Sequence, residues 1–229
     1  MAERMARLEE SEIHGEICRI GRVLHQCGFV AGCDGNISVR TARNTVLATP
    51  TSISKGMMQP GDLVTVDMEG RQTGGHRRPS SELGMHLLFY RMRSDVRAVV
   101  HAHPPTATGF AAAGLALDEP LVAEVVVTFG SIPLARYGMP GTSDLADSLS
   151  PLIPAHDAIL MANHGVVTCG PDLLSAFMKM EKVEHYAKIV AVARQLGPTR
   201  PLSDENVRKL MRARETYEGN RLPTLKELD

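Results

Sequence analysis

The chain has 229 residues, 43% of them hydrophobic and 22% charged, with a formal net charge of -1; this is the composition of a globular protein and the length of one large domain, expected to span residues 1–229. The near-neutral balance excludes an overall positive field that would recruit nucleic acid or an anionic membrane, leaving a small molecule or a protein as the expected partner and only local groups such as Arg77 and Arg78 to hold an anion. The cysteines Cys18, Cys27, Cys33 and Cys169 form no CxxC pair, the N-terminus is charged where a signal peptide would be apolar, and no apolar run approaches a bilayer span, so a cytoplasmic protein without a transmembrane segment is expected.

Residues 8–26 carry apolar side chains at Leu8, Ile13, Ile17, Ile20, Val23 and Leu24, a spacing that predicts a helix ended by Gly28. Short segments at 37–40, 45–48 and 63–67, each bounded by Gly, Pro, Asn or Asp, read as strands joined by tight loops. The run 80–93, SSELGMHLLFYRMR, predicts a helix capped by its serines, with Leu83, Leu87 and Tyr90 on one face and Glu82 in the first turn. Residues 96–105 form a β-branched strand stopped by proline. A helix at 106–113, a strand at 122–128, a helix at 143–149, a strand at 158–165, a long helix at 171–196 and a helix at 203–217 complete the reading. No repeat, low-complexity run or linker interrupts it. The alternation predicts an α/β domain whose central sheet is covered by helices.

Chemistry gathers at three histidines. His101 and His103 stand two apart at a strand end, so the period of two points both rings to one face, close enough to share a cation. A His-x-His pair alone is equally well a buried, hydrogen-bonded histidine beside an exposed one. His164, before Gly165 at the end of another apolar strand, supplies the third imidazole; three imidazoles leave zinc an open fourth position, as in a catalytic site. Glu82 suits that position as ligand or base, although alone it is equally a charge complementing a helix N-terminus. His86, four residues on, shares its helix face and reads as a supporting or packing residue, with metal contact as the alternative.

The ordered segments GNIS (35–38), TPTS (49–52), PSSE (79–82), HAH (101–103) and NHG (163–165) resemble the class II aldolase/adducin family, closest to its fuculose-phosphate aldolase branch, over residues 8–217. The resemblance implies a three-layer α/β/α subunit around a largely antiparallel or mixed sheet, in a homotetramer with interfacial active sites. It also implies zinc, or manganese or another divalent transition metal, on His101, His103 and His164, with Glu82 as resting ligand and acid/base. The related ribulose-phosphate 4-epimerases have aspartate at that position, so Glu82 favours carbon–carbon bond chemistry over epimerisation. Asn36, Thr51, Ser52, Ser80 and Ser81 match the family's phosphate-binding groups; without that context they read as polar turn and cap residues. Ser52 replaces the usual glycine and is expected to lose its positive-φ freedom. Of two tyrosines used by the branch, one matches Tyr217; Glu124 stands near the place of the other, and Tyr137 reads as a packing residue. The implied reaction is cleavage of a ketose 1-phosphate to dihydroxyacetone phosphate and an aldehyde through a zinc-stabilised enediolate. Alternatives are a decarboxylase of an oxo or hydroxy-aromatic acid and a sugar-phosphate dehydratase; the four retained ligands set aside a non-enzymatic scaffold such as the adducin head.

Overall fold

The structure is a computed structural model describing the backbone of residues 2–217 and the side chains of residues 11–213. It opens with helix α1 (Ala2–Gln26), which buries Ile17, Ile20 and Leu24 as the spacing predicts. Strands β1 (Asn36–Arg40), β2 (Val46–Ala48), β3 (Val64–Val66) and β4 (Gln72–Gly74) follow. Helix α2 (Leu83–Met92), strand β5 (Ala98–Ala102) and helices α3 (Pro105–Ala112) and α4 (Ala123–Phe129) come next. The remainder is β6 (Leu134–Ala135), α5 (Ser143–Leu149), β7 (Ala158–Met161), β8 (Gly165–Gly170), α6 (Leu173–Leu196) and α7 (Asp204–Tyr217).

All eight strands join one sheet in the order β4-β3-β2-β1-β5-β8-β7-β6. Its named pairs are antiparallel apart from β6 with β7, which is parallel. Side chains alternate across it. Ala98, Val100 and Ala102 of β5 join a core with α1, α3, α4 and α6, whereas Val99 and Val167 face α2 and α5. Two apolar faces, each roofed by helices, make the three layers, and each fully buried Leu, Ile or Phe contributes about 1.5–3 kcal/mol to holding them. Among the described residues no helix is long and apolar enough to cross a membrane.

Three local expectations are corrected. Residues 122–128 were expected as a strand and form α4: Val125, Val126 and Phe129 turn inward while Glu124 stays exposed, and Gly130 ends the helix at φ 68°. Burial on a helical stripe outweighs the strand preference of a β-branched run. The expected strand 158–165 is instead β7 plus a tight turn, with Asn163 at φ 56°, leading into β8. Finally, Glu82 is the residue before α2 and not a member of its first turn. Ser80 Oγ takes the Glu82 N–H at 3.3 Å, which leaves the carboxylate free to turn toward the sheet.

Candidate metal centre

β5 runs between β1 and β8, with His101 opposite Asn36 on one side and Val167 on the other. One residue past the strand, the His103 N–H donates to the Phe29 carbonyl at 2.8 Å, and Pro104 and Pro105 turn the chain into α3. His164 enters from the β7–β8 turn. Gly165 makes room for it, because a Cβ there would lie 2.6 Å from His103 Cδ2, 2.7 Å from the Ala102 carbonyl oxygen and 3.3 Å from His101 Cε1. The three ring centroids are 4.7, 4.9 and 5.3 Å apart, and one ligand atom from each histidine lies within 4.8 Å of the others.

Hydrogen bonds assign the ring nitrogens. His101 Nδ1 donates to the Val166 carbonyl at 2.9 Å, leaving Nε2 as a lone pair. His103 Nδ1 lies 3.5 Å from Asp34 Oδ2; a carboxylate only accepts, so His103 Nε2 is also unprotonated. These two Nε2 atoms are 3.1 Å apart. Glu82 Oε1 is 3.0 Å from His164 Nε2, and Oε2 is 3.4 Å from His101 Nε2. Glu82 Oε1 is buried and accepts no hydrogen bond. Lone pairs crowded together in a buried place destabilise the fold unless a cation lies among them. Zinc bonds of about 2.0–2.1 Å at tetrahedral angles would set ligand atoms ~3.3 Å apart; His101–His103, His101–Glu82 and His164–Glu82 already stand at 3.1, 3.4 and 3.0 Å, and the three histidines stay within 4.8 Å of one another. The donor set therefore fits a divalent metal.

The protonation states agree. Burial pushes the His101 pKa from 6.5 down to about 3 and lowers that of His103. Burial opposes the Glu82 carboxylate, yet the His164 contact and the Asn36 amide hold its pKa below the ordinary range. Neutral imidazoles and an ionised carboxylate are the forms that bind metal.

Of the five residues matched to a phosphate site, Asn36 opens β1 and the other four stand on two adjoining loops. Pro50 pairs with Pro79, and the Thr51 N–H donates to the Arg78 carbonyl at 3.0 Å, which lays TPTS beside PSSE. Asn36 Nδ2 donates to Ser80 Oγ at 3.3 Å and to Glu82 Oε2 at 2.8 Å. The Thr51 and Ser52 hydroxyls are exposed and 3.5 Å apart. Ser81 lies on the other side of Glu82, where both line a cavity of about 320 Å³ with Met85, Arg91, Thr142 and Ser143. Ser52 corrects the expectation of a lost turn, for it holds φ 59°, in the left-handed region.

Other expectations divide. Arg77 is held by Asp62 at 2.7 Å, and so is not a free anion binder. Tyr137 is 56% exposed and does not pack. Glu124 stands exposed at the start of α4, and Tyr217 closes α7 with its side chain outside the described residues. His86 is buried and its Nε2 contacts Asn36 Oδ1, the supporting place read for it. Sequence reasoning missed Asp34 and Lys55. Lys55 is 1% exposed, and its ammonium donates to the Cys33 and Ile53 carbonyls at 2.8 and 2.9 Å, tying the Asp34 loop to the Thr51 loop. Asp34 directly precedes GNIS, which was its one signal; a buried lysine bonded to carbonyls leaves none.

A mixed sheet roofed on both faces, with three imidazoles and a carboxylate at the edge of its central strands, is the class II aldolase fold. Residues 15–191 match the model for the class II aldolase and adducin N-terminal domain, and the chain belongs to that family. It is 32% identical over 204 residues to the 5-deoxy-D-ribulose 1-phosphate aldolase of Bacillus thuringiensis serovar kurstaki, covering 88% of this chain and 95% of that protein. It is 35% identical over 211 residues to the 3-oxo-tetronate 4-phosphate decarboxylase of Haemophilus influenzae, covering 90% and 98%. A solved L-fuculose 1-phosphate aldolase superposes with a TM-score of 0.84 at 31% identity, covering 90% and 96%. Membership among such enzymes carries lyase activity as a class.

Proposed function

We propose that this chain is a zinc-dependent aldolase that cleaves a ketose 1-phosphate to dihydroxyacetone phosphate and an aldehyde. The observation that carries this reading is the convergence of His101, His103, His164 and Glu82, with Glu82 Oε1 left without a hydrogen-bond partner. A divalent ion held there supplies Lewis acidity to a bound ketone oxygen. Three neutral imidazoles suit zinc, although manganese would fill the same role.

The remaining steps belong to the chain. Tyr217 takes the proton from the aldehyde-side hydroxyl and passes its own phenolic proton to solvent; as that substrate oxygen becomes a carbonyl, the carbon–carbon bond breaks and its electron pair passes to the ketone side. Glu82, which takes up a proton from solvent when substrate displaces it, delivers that proton to the carbon. Asn36 and Ser80, already bonded to each other, with Thr51, Ser52 and Ser81, donate to the phosphate from hydroxyl, amide and backbone N–H groups. We place the enzyme in the cytoplasm as a homotetramer, supported by four free cysteines and by the family likeness.

A second reading is the decarboxylation of a phosphorylated 3-oxo acid, in which the electron pair comes from a departing carboxylate and the same carbon is protonated. It is favoured by the likeness to the tetronate-phosphate decarboxylase and by Glu124 where an aldolase tyrosine is matched. Incubating zinc-loaded protein with ketose 1-phosphates and phosphorylated 3-oxo acids, while assaying dihydroxyacetone phosphate and carbon dioxide, separates the two. Release of dihydroxyacetone phosphate is the expected result; carbon dioxide alone selects the second reading, and neither product overturns both.

A further inference from the structure

We propose that His86, Ser38 and Tyr90 are positioning residues for Glu82, acting through Asn36 along one buried and directed chain of hydrogen bonds. The proposal rests on the reading of Glu82 as a ligand and acid/base. The chain runs from Glu82 Oε2 to Asn36 Nδ2 at 2.8 Å and from Asn36 Oδ1 to His86 Nε2. It continues from His86 Nδ1 to Ser38 Oγ at 2.7 Å and from Ser38 Oγ to Tyr90 Oη at 2.7 Å. His86 and Tyr90 are 1% and 2% exposed, and Ser38 is fully buried.

The proton order follows from the carboxylate end. Ionised Glu82 only accepts, so Asn36 presents its NH₂ to Glu82 and its carbonyl to His86. His86 must therefore carry its proton on Nε2, because a bare nitrogen facing a carbonyl oxygen is repulsive. Its Nδ1 is then a lone pair and takes the Ser38 proton, and the Ser38 oxygen accepts from the Tyr90 hydroxyl. Every donor points toward Glu82. Without the His86 N–H, the Asn36 amide is free to flip and set its own oxygen against the carboxylate.

The geometry is built into two periodicities. Glu82, His86 and Tyr90 are spaced by four, while Asn36, Ser38 and Arg40 on β1 are spaced by two. Four helical residues rise ~6 Å and two strand residues ~6.6 Å, so the two rows stay in step across the helix–sheet contact. Arg40 closes the far end, its guanidinium 5.6 Å from the Tyr90 ring centroid and donating to the Tyr90 carbonyl at 3.1 Å. A purely structural contact between these layers would be met by apolar side chains, as it is by Phe89 and Val99 alongside.

Two variants and two readouts test this. Tyr90→Phe keeps the ring and removes only the last donor; Ser38→Ala cuts the chain one link nearer the carboxylate. Each folded protein, checked by circular dichroism and thermal melting, is freed of metal and titrated with cobalt(II), whose visible spectrum reports its coordination. Ser38→Ala is expected to weaken cobalt binding about tenfold or more and to move the spectrum toward that of Glu82→Gln, with Tyr90→Phe showing a smaller change in the same sense. Nitrogen-15 spectra of the metal-free wild type are expected to show His86 protonated on Nε2. A His86 proton on Nδ1, or folded variants with wild-type cobalt affinity and spectrum, overturns the chain. Wild-type protein without turnover on the substrate panel overturns the lyase reading instead, and leaves both readouts to decide this one.

Discussion

Ser52 sits at φ 59° on the loop that faces Ser80, a conformation that costs an L-residue about 1–2 kcal/mol relative to the right-handed regions. Glycine would relieve that strain but would also loosen the unfolded chain by about 0.4–1 kcal/mol. Strain relief is the larger of the two, so Ser52→Gly is expected to keep the fold and raise the thermal midpoint slightly, by the equivalent of about 1 kcal/mol. Its kinetic effect is then a clean report on the hydroxyl. If that hydroxyl donates to a phosphate, KM for a phosphorylated substrate rises by the equivalent of about 1.5–3 kcal/mol; a fall in KM shows instead that it occupies space the anion needs. Glu82 is tested by charge. Glu82→Gln retains three imidazoles and so is expected to keep its zinc, measured by elemental analysis, while turnover drops about a hundredfold to ten-thousandfold for want of a proton carrier. Near-wild-type turnover in the loaded variant would reassign the base.

The β7–β8 turn is the element on which the centre depends most. His164 reaches the other two rings only because Gly165 lets the hairpin pass within contact of the β5 end, and two of the atoms a Cβ would meet lie under 3.0 Å away, one of them the backbone oxygen of Ala102. Backbone cannot rotate aside as a side chain does. Gly165→Ala is therefore expected to cost about 1–3 kcal/mol of stability and to deplete bound zinc after dialysis, with His101 and His103 unaltered in sequence; full zinc retention would show that the turn adjusts. Elements were legible where one period dominated. Residues 143–149 form α5 as read, closed at the start by the Thr142 hydroxyl accepting the Asp144 N–H. The valine run before Phe129 misled, because β-branched residues favour strands until a helical stripe has a core to enter, and that core is built by α3 and α6 from other parts of the chain.

At the scale of the molecule, acid is expected to act on the buried histidines. Burial lowers the His86 pKa from 6.5 to about 4, so between those values the unfolded chain binds a proton that the folded one does not. Stability is thus fully present above about pH 6.5 and is lost as pH falls toward 4, by up to about 3 kcal/mol from this group. His101, in the metal-free protein, adds to the loss in the same direction. Urea denaturation of metal-free wild type and His86→Gln between pH 7 and 4.5 checks this: a flatter profile is expected for the variant, and parallel profiles would mean that His86 already titrates normally. Local order along the chain sufficed for the helices α1, α5 and α6, for the alternation that pairs His101 with His103, and for the set of segments that carries the family likeness. Those signals depend on neighbours within a few residues, which sequence displays directly. Tertiary structure alone decided that Glu82 precedes α2 and turns to the sheet, that Ser52 keeps a left-handed turn, that Asp34 stands behind His103, and that His86, Ser38 and Tyr90 connect to Asn36. Each of these depends on which strand lies beside which helix, a pairing between residues 36–40 and 82–90 that no local pattern records, since its energy comes from burying both faces of the sheet at once.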